Sequence, residues 1–245
     1  MLDGFDASSR AGIDGTYINP NTGSSDEGIT LLRFSLHAHY VDAASGWGGY
    51  AQLPFSYASG SGETITDVGD LELGAIYVPR FADPRFGLVL HAGITAPTGE
   101  KREAAAIGLV ESFIATPQLY NSLPEGITGK IGVSPTFRSG NVFARFDLSV
   151  DKNFDAADVS PTAGIHYNLG VGVDLGTVAI MAESTNLSIL SSSGRDDGVT
   201  LSSIALSTRA NAGAVSPYLA VVVPIESHTS DVIDFAVTLG ADFRL

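Results

Sequence analysis

The last fourteen residues, Val232 to Leu245, alternate between apolar and polar or small side chains. Every second position in this stretch is apolar: Ile233, Phe235, Val237, Leu239, Ala241, Phe243 and Leu245. A period of two indicates a β-strand with one apolar face. Such a strand occurs in soluble β-sandwiches and also in membrane barrels, where the apolar face meets lipid. The rest of the chain has to decide between these two classes of protein.

The same alternation recurs along the chain and predicts twelve strands. They cover residues 9–18, 30–41, 47–57, 69–80, 86–96, 127–138, 142–151, 162–175, 178–187, 199–210, 215–225 and 232–245. All twelve have ten or more residues, whereas strands of globular proteins have about 5–6. A tilted strand of about ten residues is long enough to cross a bilayer.

The connections between these strands alternate strictly between long and short. The long ones are 19–29, 58–68, 97–126, 152–161, 188–198 and 226–231, and the short ones are 42–46, 81–85, 139–141, 176–177 and 211–214. Outer-membrane barrels have short periplasmic turns and long external loops. The sequence therefore predicts one domain, residues 1–245, folded as a twelve-stranded antiparallel up-and-down transmembrane β-barrel. A further strand pair within 97–126 would give fourteen strands.

The composition excludes several other classes. No apolar run approaches the roughly 18 residues of a transmembrane helix, and a net charge of −14 disfavours nucleic-acid binding. The absence of cysteine excludes thiol catalysis, disulfides and cysteine-ligated metals. The first ten residues have no basic and apolar segments of a signal peptide. With the barrel pattern, this favours the mature form of a bacterial outer-membrane protein over a cytosolic one.

One hairpin resembles a known family. Residues 69–77, GDLELGAIY, precede residues 87–99, GLVLHAGITAPTG. This pattern resembles a hairpin of the meta-pathway phenol-degradation family of outer-membrane proteins, over about 30 residues of the chain. The resemblance implies an outer-membrane barrel and a channel for small or aromatic compounds. It carries over no catalytic residue. Gly69 and Gly74 are expected to relieve crowding in a curved wall, and Pro97-Thr98-Gly99 is expected to end a strand.

The strand alternation predicts a polar, mixed-charge lumen. The predicted lumen-lining residues are Arg33, His37, His39, Tyr50, Gln52, Glu72, His91, Lys130, Arg138, Arg145, Asp147, His166, Asn168, Asp174, Glu183, Arg209, Asp234, Asp242 and Arg244. A soluble barrel or sandwich would not bury so many charges, because each unpaired one costs several kcal/mol. A hydrated lumen accepts them, either as ion pairs and solvated lining or as selectivity and ligand sites.

Catalytic and metal sites are not predicted. His37 and His39 lie two residues apart on one face, which is a possible metal pair, but the sequence places no third ligand near them. Serine and histidine are available for a phospholipase-type site, yet no nucleophile motif is present. We therefore expect no enzyme activity, no metal and no cofactor.

The predicted function is passive diffusion of small solutes through the barrel, with small aromatic or hydrophobic compounds as candidates. Residues 97–126 would narrow or gate the lumen, because Ala106, Ile107, Val110 and Ile114 recur at helical spacing. The alternative is a plugged structural or surface-interaction barrel whose acidic loops bind cations, lipid headgroups or a partner. Expected partners are membrane lipid and lipopolysaccharide, the solute, and the barrel-assembly machinery. That machinery would read the last strand, although Leu245 replaces the usual final aromatic residue.

Overall fold

A computed structural model describes residues 8–21, 29–60, 63–99, 127–155, 163–190 and 199–245. Its strands are β1 (Arg10–Pro20), β2 (Thr30–Val41), β3 (Trp47–Gly60), β4 (Glu63–Val68), β5 (Leu71–Tyr77), β6 (Phe86–Ala96), β7 (Ile127–Ser139), β8 (Val142–Asp155), β9 (Ala163–Asp174), β10 (Val178–Leu190), β11 (Val199–Ala210), β12 (Val215–Pro224) and β13 (Ile233–Arg244). One short helix, α1 (Ser227–Ser230), precedes β13. Across these described segments, no helix is long and apolar enough to span a membrane.

The strands form one closed antiparallel sheet. Apart from β4 and β5, each strand pairs with its neighbours in sequence, and β13 pairs with β1 to close the barrel. The strands β4 and β5 pair with successive halves of β3 and together occupy one wall position. The thirteen strands of the described residues therefore make a twelve-stranded barrel, which confirms the predicted strand number and topology.

The break between β4 and β5 was not predicted. Phe55 pairs with Val68 and Gln52 with Glu72, so two residues of β3 lie opposite three residues of the next wall strand. Pro54 lies at this bulge and has no N–H to offer a neighbouring strand. The predicted long connection 58–68 is accordingly wrong, because β3 continues to Gly60 and β4 returns from Glu63.

The side chains alternate between the two faces of the wall. On β12, Leu219, Val221 and Val223 are exposed, whereas Tyr218 and Ala220 are buried inside the barrel. Most strands repeat this pattern, so large apolar side chains cover the outer surface. Monomers in water rarely expose continuous apolar surface of this extent. Its continuity around a closed sheet matches the lipid-facing band of a membrane barrel.

The two ends of the barrel differ. Tight turns join β2 to β3, β7 to β8, β9 to β10 and β11 to β12 at one end. Each of these four turns has a glycine with positive φ, for example Gly140 at 57° and Gly176 at 87°, a conformation in which side chains are disfavoured. The last residue lies at this turn end, where the Leu245 amide donates to the carbonyl of Ser9 at 3.0 Å. The opposite end, where β1, β8 and β10 end and β2, β9 and β11 begin, is called the loop end.

Candidate functional site: the barrel interior

The structure places most of the predicted lumen residues on the inner face of the wall. Nine of them are buried: Arg33, His39, Tyr50, Glu72, His91, His166, Asn168, Glu183 and Asp242. Six more are partly buried on the same face: His37, Gln52, Lys130, Arg145, Asp147 and Arg209. Most of these side chains hydrogen-bond or pair with one another, so the interior contains connected polar networks.

Four predicted lumen residues lie elsewhere. Arg138 and Asp174 form a 2.9 Å ion pair at the turn end, where the arginine side chain is half exposed. Arg244 is exposed at the end of β13. These three side chains lie at the ends of their strands, where strand alternation no longer distinguishes interior from solvent.

Asp234 is also exposed, and the prediction for the start of the last strand is wrong. The pairing of β1 with β13 shifts between Asn19 and Pro20, so that Asn19 lies opposite Phe235 and Pro20 opposite Ile233. This irregularity exchanges the inner and outer faces at the start of β13. Ile233 is therefore fully buried inside the barrel. The Asp234 carboxylate instead accepts a hydrogen bond from the Asn19 side-chain amide at 3.0 Å.

The seam between the first and last strands carries the first polar network. We call it the seam network, and its members are Arg10, Asp14, His37, Arg209, Tyr218 and Asp242. Asp242 is its centre, since its carboxylate lies 3.2 Å from Arg10, 2.8 Å from His37 and 2.8 Å from Arg209. Three positively charged or protonatable groups from three other strands thus share one carboxylate.

The second carboxylate of the seam network is Asp14. It lies 3.4 Å from the His37 ring and accepts a hydrogen bond from the Tyr218 hydroxyl at 3.2 Å. Glycines provide the space: a Cβ at Gly240 would lie 2.3 Å from the Tyr218 ring, and one at Gly12 would lie 2.4 Å from His37. Three members of this network were not among the predicted lumen residues, although they continue the inward alternation of their strands: Arg10, Asp14 and Tyr218.

A second network lies across the barrel on strands β3 to β9. The Tyr50 hydroxyl donates to Glu72 at 2.6 Å, and the Lys130 ammonium donates to the other Glu72 oxygen at 3.0 Å. On the next strands, His166 lies 2.7 Å from Asp151. A Cβ at Gly93 on β6 would lie 2.1 Å from the Tyr50 hydroxyl, so the ring, which extends over β5 to β6, requires a glycine there.

A third network centres on Arg145. Its guanidinium lies 2.7 Å from Asp147 and 2.8 Å from Glu183, and the three side chains are 11%, 13% and 1% exposed. Two carboxylates therefore share one guanidinium group on the inner face of the barrel. Removing one partner of such a buried pair costs about 3–5 kcal/mol, because the other charge remains buried without compensation.

Part of the interior at the loop end is apolar, which the strand alternation did not indicate. We call this region the apolar cluster, and its buried members are Ile18, Leu31, Ala205, Val222, Ile233 and Ala236. Ile29, Ala58 and Ile65 pack against it. The sequence signal was available, because Ile18 continues the inward face of Asp14 and Thr16. Near the seam, the interior is therefore polar towards the turn end and apolar towards the loop end. On the opposite side, Val41, Tyr50, Ile76 and Val89 form a second buried apolar group nearer the turn end.

The residues of the hairpin motif contact each other at the break in the wall. Asp70 accepts hydrogen bonds from the backbone amides of Thr98 and Gly99, each at 2.8 Å. The Thr98 hydroxyl in turn accepts a hydrogen bond from the Leu71 amide at 2.8 Å. The aspartate of the first half of the motif thus fixes the end of the second half. Gly74 is needed for space, since its Cβ would lie 2.1 Å from the Tyr50 ring.

A cavity of about 650 Å³ lies beside this break. Its lining residues are Phe34, Phe55, Ser56, Tyr57, Thr66, Asp67, Val68 and Thr98. It combines outward-facing aromatic rings with Ser56 and Asp67 from the inner face of the same strands.

Two of the described histidines, His37 and His166, lie beside carboxylates. His37 pairs with carboxylates of the seam network, and the described residues include no group of three or more histidine and acidic side chains able to hold a metal ion. Ser149 lies opposite His166 in the sheet, but His166 Nδ1 has no hydrogen-bond partner. A serine–histidine–aspartate triad requires that serine–histidine bond, so Ser149, His166 and Asp151 are not arranged as one.

Solved outer-membrane proteins share this fold. An outer membrane channel from Pseudomonas putida F1 superposes with a TM-score of 0.69 and 16% identity, covering 100% of this chain and 98% of the other. The transport unit of the autotransporter AIDA-I from Escherichia coli gives 0.53 and 9%, covering 100% and 93%. A mutant of outer membrane phospholipase A from Escherichia coli gives 0.50 and 11%, covering 97% and 90%. This chain has the fold of an outer-membrane β-barrel.

Sequence comparison identifies no family for this chain. No protein-family model matches the chain, and no curated protein matches it. The identities to the solved barrels are low, and those barrels include a channel, an autotransporter unit and a phospholipase. The likeness therefore concerns the fold alone, and the resemblance to the phenol-degradation family stays a prediction.

Proposed function

We propose that this protein is a channel of the bacterial outer membrane that lets small solutes diffuse passively through its barrel. The observation that carries the proposal is the contrast between the two faces of one closed sheet. The outer face is apolar around the barrel, and the inner face carries the three polar networks. A protein of this shape provides a polar path across an apolar layer. The P. putida channel with the same fold supports this proposal.

We further propose that the solutes include small aromatic or hydrophobic compounds. One feature of the interior supports this: the apolar cluster on the inner face near the loop end. A solute arriving at the loop end would contact apolar side chains before it reached the polar networks. The resemblance of the 69–99 hairpin to the phenol-degradation family points to the same solutes. The predicted narrowing by residues 97–126 concerns a segment that lies mostly outside the described residues.

The second candidate is a plugged barrel that acts through its acidic external loops on cations, lipid headgroups or a partner. One observation favours it: most inner-face side chains are buried rather than solvated, including Asp151, His166 and Glu183. Interiors of small barrels are commonly filled by side chains. The two candidates differ in whether solutes cross a bilayer that contains the protein.

Three further proposals go with the channel. The partners are membrane lipid and lipopolysaccharide at the outer surface, with the barrel-assembly machinery acting on β13 during insertion. The protein performs no catalysis and uses no cofactor. It acts by diffusion alone, so its transport rate should rise linearly with the solute gradient.

Solute uptake into liposomes tests the proposal. Vesicles containing the folded protein should swell in small sugars and take up small phenols faster than protein-free vesicles. Deletion of 97–126 should increase both rates if that segment narrows the path. Permeability equal to that of protein-free vesicles, before and after the deletion, would reject the channel. In that case, binding of the intact protein to cations or lipopolysaccharide, lost on loop deletion, would support the plugged barrel.

A further inference from the structure

Three buried oxygen atoms on strands β7 and β8 have no hydrogen-bond partner. They belong to Thr128 (Oγ1), Asp151 (Oδ1) and Asn153 (Oδ1). These residues are 2%, 0% and 3% exposed, so bulk water does not satisfy them. Buried polar groups in folded proteins nearly always have partners, and an unsatisfied one points to an ion or an ordered water.

The sheet register brings the three side chains to one place. Thr128 lies directly opposite Asn153, and directly opposed side chains have Cβ atoms about 5 Å apart. Asp151 lies two residues before Asn153 on the same inner face, a separation of about 7 Å along the strand. The register shifts next to Thr128, which leaves Phe154 as an extra residue in β8. Such bulges re-aim side chains and are frequent beside functional sites.

The chemistry of the three atoms selects the occupant. The carboxylate and amide oxygens can only accept, and the threonine hydroxyl accepts as well. Asp151 also carries a negative charge, and His166 holds its other oxygen at 2.7 Å, which fixes the carboxylate plane. Lys130 lies opposite Asp151, but its ammonium group is directed to Glu72 at 3.0 Å. An anion is therefore disfavoured, and a cation satisfies all three oxygens together.

We propose that Thr128, Asp151 and Asn153 form a binding site for a hard cation inside the barrel. Ca²⁺ and Na⁺ prefer carboxylate, amide carbonyl and hydroxyl oxygens, which are the three groups of this site. Transition metals prefer imidazole and thiolate groups, and none of the three atoms belongs to such a group. One carboxylate and two neutral oxygens leave part of the coordination shell to water. The site should therefore be weak, with a dissociation constant for Ca²⁺ of about 10⁻³ M. This site goes beyond the proposed channel and does not depend on conduction.

Thermal unfolding in detergent tests the site. The folded protein is heated in CaCl2, in NaCl or in N-methylglucamine chloride at equal ionic strength, and unfolding is followed by gel migration. The small cations should raise the midpoint above that in N-methylglucamine. This rise should be absent in Thr128→Val and Asp151→Asn. If Asp151→Asn does not fold, Thr128→Val alone carries the test, because it changes neither the charge nor the size of the side chain.

Thr185→Val is the matched control. Thr185 also has a buried hydroxyl oxygen without a partner, but it lies on β10, away from the proposed site. This variant should keep the full cation-dependent rise. The proposal is overturned if the wild type shows no difference between the salts, as an ordered water would give. It is also overturned if Thr128→Val keeps the rise, or if Thr185→Val loses it to the same extent.

Discussion

The seam network and the apolar cluster lie on the same strands, yet their chemistry is opposite. On β1, Asp14 joins the seam network, and Ile18, four residues further on, joins the apolar cluster. On β13, the same change separates Asp242 from Ile233. Both positions face the barrel interior, so the alternation decides only which face a residue occupies. Near the seam, the polarity of the interior therefore changes with depth along the barrel.

The largest effect expected from this comparison is at the centre of the seam network. Asp242→Ala leaves Arg10, His37 and Arg209 without their shared carboxylate. The variant should lower the free energy of unfolding by about 3–5 kcal/mol, because the buried positive groups lose the carboxylate that they share. Reversible urea unfolding in lipid vesicles measures this. Asp234→Ala is the control and should change stability by less than about 0.5 kcal/mol, since that aspartate is exposed. Equal effects at the two positions would contradict the network.

The apolar cluster should respond to loss of volume. Ile233 is fully buried, so Ile233→Ala should cost about 2–5 kcal/mol through lost burial and the cavity left behind. The same urea experiment applies. Leu239→Ala, on the outer face of the same strand, leaves the interior intact and should give a smaller loss. A larger loss at Leu239 than at Ile233 would mean that the faces of β13 are assigned wrongly.

The hydrogen bonds that Asp70 accepts at the wall break should have an intermediate effect on stability. Asp70→Ala removes two charge-assisted hydrogen bonds to the amides of Thr98 and Gly99, and it should cost about 1–3 kcal/mol. Faster hydrogen exchange at those two amides would locate the effect. Thr66→Val is the control, because Thr66 is exposed in β4 and should leave both amides protected. Unchanged exchange in Asp70→Ala would show that the link is not maintained by Asp70.

The smallest effect concerns the turn end, outside the membrane-spanning strands. Hydrogen bonds from the side chain and amide of Ser45 lower the pKa of Asp42 below its ordinary value of 3.8. A lowered pKa means that the stabilisation is complete above pH 3.8 and is lost as the pH falls through the lowered pKa. The Ser45 amide signal in an NMR titration should therefore shift below pH 3.8. Asp42→Asn should abolish that shift, and its persistence would assign the titration to another group.

The sequence predicted the wall of the barrel better than its interior. Strand alternation is a local property, so β2, β12 and most of β13 could be assigned to inner and outer faces directly. It failed at the bulges: one β13 irregularity exposes Asp234, and the Pro54 bulge divides one wall strand into β4 and β5. A bulge depends on the pairing of two strands, which no single strand shows.

The sequence pattern could not predict the contacts between the first and last strands. Arg10 and Asp242 are separated by 232 residues and meet only because the first strand pairs with the last. The hairpin motif shows the same limit on a smaller scale. Its spacing predicted a strand end, but the hydrogen bonds from Thr98 and Gly99 to Asp70 required the fold.

Single-channel recording in planar bilayers tests the central claim most directly, using two neighbouring residues of β12. Tyr218 faces the interior in the seam network, and Leu219 faces outwards. The account predicts discrete conductance steps in the wild type, larger steps in Tyr218→Ala, and wild-type steps in Leu219→Ala. No steps in any of the three proteins would contradict the channel. Equal changes in the two variants would contradict a conducting path along the inner face.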